Sequence, residues 1–63
     1  MNEQRKKNLR SVIHDLYLLS EQLNREASGE NDKDNAEALY SLEEIIDGVI
    51  EAIDKIIDPK RED

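Results

Sequence analysis

LYSLEEIIDGVIEAIDKII, residues 39–57, decides the fold. Its apolar side chains Leu39, Leu42, Ile46, Val49, Ile53 and Ile56 recur in alternating steps of three and four, the spacing that keeps them on one stripe of an α-helix. Upstream, Leu9, Val12, Leu16, Leu19 and Leu23 repeat the alternation. Between the two stripes, Ser28-Gly29-Glu30-Asn31-Asp32-Lys33 holds no stripe residue and is rich in turn formers. One domain over 1–63 is expected: a helix over about 3–27, a turn over 28–34, a helix over about 35–58 and a short charged tail at 59–63. Gly29 is expected to end the first helix in the left-handed conformation, and Asp34 to open the second through a capping box with Glu37. Pro59 should stop that helix, because its ring disfavours helical geometry at Asp58. Gly48 faces outward and is read as a helix residue.

The stripes can be tested against each other, since an antiparallel hairpin pairs positions whose numbers share a constant sum. Leu23 with Leu39, Leu16 with Ile46 and Leu9 with Ile53 satisfy one such sum; Leu19 with Leu42, Val12 with Val49 and Arg5 with Ile56 satisfy the next lower one. The fold class is therefore all-α, an antiparallel two-helix hairpin with these residues as its seam. The same register sets Lys6, Lys7 and Arg10 near Glu51, Asp54 and Asp58, where exposed ion pairs contribute about 0–1 kcal/mol each and act mainly on register.

Sixty-three residues without cysteine, tryptophan or phenylalanine are few for a self-sufficient core. Disulfides are excluded, and a thiolate zinc site with them. The chain must gain stability from long regular helices or from other chains. Its apolar faces point to the second route. Ile45, Ala38 and Ala52 extend the second helix's stripe on one flank, Ile50 and Ile57 on the other, and Ile13 and Tyr17 lie beside the first stripe. Leaving such flanks in water forgoes roughly 1.5–3 kcal/mol per large side chain. Ile13, Tyr17, Ile45, Ile50 and Ile57 are therefore the expected oligomer or partner interface, either of a homodimeric four-helix bundle or of a groove for a protein target.

Sixteen acidic against nine basic residues give a net charge of −7, which disfavours generic attraction to nucleic acids and anionic membranes. The charge is polarised. Arg5, Lys6, Lys7 and Arg10 form a basic start that offers an anion contact, but no aromatic side chains interleave them for base stacking. Glu44, Asp47, Glu51, Asp54 and Asp58 recur at three and four steps as an acidic ridge, a candidate mimic of a nucleic-acid backbone. The longest uninterrupted apolar run, Leu16 to Leu19, is too short for a membrane span, and a cytoplasmic location is the expectation.

Enzyme chemistry is not expected. His14 is the only histidine, Asp15 follows it about 100° around the helix, and Ser11, Ser20 and Ser41 lie on scattered faces, so no nucleophile, base and acid converge. Glu30, Asp32, Asp34 and Glu37 crowd the turn, yet Gly29 precedes them rather than sitting at the centre of a calcium loop. No metal or cofactor is expected.

The segment 37–54, containing Leu42-Glu43-Glu44-Ile45-Ile46-Asp47 and Glu51-Ala52-Ile53-Asp54, resembles the helical repeats of small hairpin proteins encoded by phages and prophages. That resemblance implies a small interaction protein or regulator from a mobile element. Leu42-Glu43-Glu44 is also similar to a stretch of phage proteins that sequester cyclic oligonucleotide signals, although acidic Glu37 stands where such a ligand would want a basic residue. The expected function is thus a non-enzymatic helical interaction protein acting through a homodimeric bundle. The alternatives are a nucleic-acid- or nucleotide-binding module using the basic first turns, or an acidic nucleic-acid-mimicking inhibitor.

Overall fold

A computed structural model describes residues 1–59. Two helices, α1 (Glu3–Gly29) and α2 (Lys33–Ile57), pack against each other as a hairpin. The fold class read from the stripes is the observed one. Residues 60–63, most of the expected tail, lie outside the described residues.

Each helix start is capped by a side chain that takes up an orphan backbone donor. Asn2 Oδ1 accepts from the Arg5 N–H at 2.7 Å, and Asp32 Oδ1 accepts from the Asn35 N–H at 3.1 Å. The second cap corrects the sequence reading, which put the start at Asp34. Asp32 wins because it lies two residues closer to α1 and its carbonyl already accepts from the Ala36 N–H at 2.9 Å. The connection shrinks to residues 30–32. Gly29 is also corrected: no described residue has positive φ, and the chain leaves α1 through Glu30 at φ −81° and ψ 129°. Glu30 closes the turn itself. Its N–H donates to the Ala27 carbonyl at 3.2 Å, and its Oε2 accepts from the Asp32 N–H at 3.1 Å. At the far end Asp58 leaves helical geometry at φ −136° and ψ 76°, as a residue before proline should.

The largest departure is a rotation of both helices about their own axes. Ala27, Ser20, Ile50 and Ile57 are the buried residues, and Lys6, Leu9, Ile13, Leu16 and Leu23 are half-buried on α1. On α2, Ala36, Leu39, Glu43, Ile46, Ile53 and Asp54 are half-buried. Leu9, Leu16, Leu23, Leu39, Ile46 and Ile53 are half-buried as expected, but the hydrogen bonds between the helices, Ser20 to Asp47 and Asn24 to Glu43, join positions of a higher sum than the stripes predict. The other seam rows change: Lys6, Ile13, Ser20 and Ala27 on α1 and Ala36, Glu43, Ile50 and Ile57 on α2 are the covered residues, in place of Arg5, Val12 and Leu19 and of Leu42, Val49 and Ile56. The rotated rows contain the smaller residues Ala27, Ser20 and Ala36. They also bring polar partners into reach, Ser20 Oγ donating to Asp47 Oδ1 at 3.1 Å and Asn24 Nδ2 to Glu43 Oε1 at 3.1 Å.

Candidate interaction surface

The rotation divides the hairpin into two broad faces of opposite character. One is polar. Along it run the Ser20–Asp47 and Asn24–Glu43 hydrogen bonds and the contact of the Ser28 and Tyr40 hydroxyls at 3.3 Å. Beyond Asp47, Arg10, Ile13, Tyr17, Ile50, Glu51 and Asp54 line an open groove of about 400 Å³.

The other face is apolar and uncovered. Val12 and Leu19 from α1 lie beside Leu42, Val49 and Ile56 from α2, each between 42% and 56% exposed. The half-buried Leu9, Leu16, Leu23, Leu39, Ile46 and Ile53 floor the space between the two rows. Both rows fall on one side, because in antiparallel helices a rotation of the same sense away from the mutual seam leads to the same broad face. On α2 the border is apolar as well, with Ala38, Ile45 and Ala52; on α1 it is Asn8, Asp15 and Gln22. Monomers rarely expose a continuous apolar patch of this length.

The interface residues expected from sequence are thereby redistributed. Ile50 and Ile57 are 6% exposed within the single hairpin, so a partner has little left of them to cover. Ile13 is half-buried in the same seam. Tyr17 and Ile45 remain open at 58% and 61%, but on opposite faces, Tyr17 by the polar groove and Ile45 by the apolar one. The residues that make the apolar face were read from sequence as internal seam. Their signal was the set of apolar doublets Val12-Ile13, Val49-Ile50 and Ile56-Ile57, in which each helix turn offers two neighbours for one seam.

The charged features divide in the same way. Asp47 and Asp54 of the acidic ridge turn toward α1, Asp47 to Ser20 and Asp54 into the groove, whereas Glu44, Glu51 and Asp58 stay exposed. Of the five ridge carboxylates only Asp54 is half-buried; Asp47, though bonded to Ser20, is exposed like the other three. In the basic start, Lys6 is half-buried and pairs with Glu3 at 4.0 Å, Arg10 shares the groove with Glu51 and Asp54, and Arg5 and Lys7 are exposed. The turn carboxylates Glu30 and Asp32 are engaged by backbone donors. Among the described residues, no three His, Asp or Glu side chains converge as a metal-binding group, and no helix is long and apolar enough to cross a membrane.

Comparison with protein-family models, with curated proteins and with solved structures finds no match to this chain.

Proposed function

We propose that the hairpin is half of a homodimeric four-helix bundle and acts without catalysis, as a small interaction protein or regulator. The observation that carries this reading is the face formed by Val12, Leu19, Leu42, Val49 and Ile56. Domains are ordinarily built from at least two packed layers. This chain spans 45 × 23 × 12 Å, and 12 Å is the thickness of one helix. Its accessible surface of 5005 Å² exceeds by about 800 Å² the roughly 4,200 Å² of a folded monomer of 7.3 kDa. About 800 Å² is also what one partner buries in an ordinary stable interface. A second copy supplies the missing layer, and the resemblance of 37–54 to phage-type hairpins agrees with a small regulator whose outer, acidic surface engages its target.

The competing reading, nucleic-acid or nucleotide binding through the basic first turns, is weakened by the acids that attend Lys6 and Arg10. The test is direct. Light scattering should give twice the chain mass at tens of micromolar, and Leu19→Glu with Val49→Glu should give a helical monomer. A native protein that stays monomeric at high micromolar concentration overturns the dimer. Salt-dependent RNA binding that Lys7→Glu with Arg10→Glu abolishes would replace this reading with the nucleic-acid one.

A further inference from the structure

We infer that the polar face docks an arginine-bearing segment of the target protein, whose guanidinium groups lie on the Tyr17 and Tyr40 rings and turn toward the carboxylates beside them. This rests on the reading of the hairpin as an interaction protein with an acidic outer surface, and deepens it by naming the chemistry of the partner.

Tyr17 and Tyr40 are the only aromatic side chains in the sequence. Both are exposed, and neither belongs to the apolar face that a second copy would cover. Aromatic side chains are enriched among the residues that carry binding energy at protein interfaces. The hairpin sets both of its own on the face that dimerisation leaves open. Each has carboxylates for neighbours: Tyr17 shares its groove with Glu51 and Asp54, and Tyr40 shares an open depression on α2 with Glu37 and Glu44. A ring flanked by carboxylates is a setting for a cation, which the π face attracts and the carboxylates pair.

The surrounding charge gives the partner its sign. Residues 11–24 of α1 and 34–54 of α2, which contain both tyrosines, carry acidic side chains but neither lysine nor arginine. Shape favours arginine over lysine. A guanidinium is planar, so it can lie flat on a ring while its N–H edge donates to a carboxylate, whereas an ammonium is a compact point charge. The groove admits that group, since Arg10 of the chain itself lines it. The groove also reaches Ile50, which lies about 15 Å along α2 from Tyr40. About four or five residues of extended chain cover that distance, so one short segment can reach both rings.

The experiment uses a blocked peptide with arginines at its first, fifth and ninth positions among alanines and serines, titrated into the isotope-labelled native protein at about 0.15 M salt. Saturable amide shifts are expected at Tyr17, Tyr40, Glu44 and Glu51, with Leu19 and Val49 unmoved. Tyr17→Ala and Tyr40→Ala should each weaken binding about two- to fivefold, and lysines in place of the three arginines should weaken it about threefold. Absence of saturable shifts overturns the inference. So does equal binding by the tyrosine variants or by the lysine peptide, because charge alone then carries the contact. Light scattering separates this from the dimer: both tyrosine variants should keep the native mass. A dimer that ignores the peptide overturns the docking and leaves the bundle standing, and a monomer that binds it overturns the bundle and leaves the docking.

Discussion

Ser20 occupies a position at which a helix seam ordinarily carries a leucine. Its side chain is buried, and the hydroxyl is satisfied by Asp47 from the other helix. A hydrogen bond to an ionised acceptor is worth about 1.5–3 kcal/mol; because Asp47 is itself exposed, the lower end applies. Ser20→Ala should cost about 1.5 kcal/mol in a denaturation series, while Asp47→Asn, which keeps an acceptor oxygen, should cost less. The glycines argue the other way. Gly48 lies inside α2 with nothing within 4 Å of an added Cβ, so Gly48→Ala should raise stability by about 1 kcal/mol. Gly29 has the same open space and no positive φ. Gly29→Ala should therefore be neutral or mildly stabilising in thermal melts, whereas a left-handed Gly29 would make that substitution costly.

At the scale of the helix, Val49 and Ile50 are neighbours in sequence and belong to different contacts. Ile50 is buried against α1 and Val49 is open. Ile50→Ala should lower stability by about 2–4 kcal/mol at every protein concentration, since it leaves a hole in the hairpin seam. Val49→Ala should spare a dilute monomer and weaken association alone, a contrast that melts at low and high concentration will reveal. The same pair explains how much was legible in the sequence. Periodicity located both helices, the turn and the half-buried row Leu9, Leu16 and Leu23, because this is the apolar row on α1 without an interruption. It could not choose between the rows on either side. The row Lys6, Ile13, Ser20, Ala27 is less apolar than Arg5, Val12, Leu19, and Glu43 interrupts its counterpart on α2. Apolar counting favours the greasier rows for the seam. The hairpin instead closes over the smaller and more polar rows, where Ser20 and Glu43 find hydrogen-bond partners, and leaves the greasier ones outside.

The whole molecule is long and flat. Its Cα radius of gyration is 14.3 Å, against about 10.6 Å for a compact fold of this length. If a second layer completes it, stability includes a mass-action term, and the melting temperature should rise with protein concentration over a hundredfold range. A melting temperature independent of concentration at fully dimeric and fully dilute limits alike would contradict that.

The 12 Å thickness has one further meaning. In a slab one helix deep every backbone amide lies a single side chain from water, and beyond its own helical hydrogen bond the shielding it has comes from the neighbouring helix. In the proposed homodimer, a copy without its mate would open its helices more readily and be cut faster by a protease than a mated one.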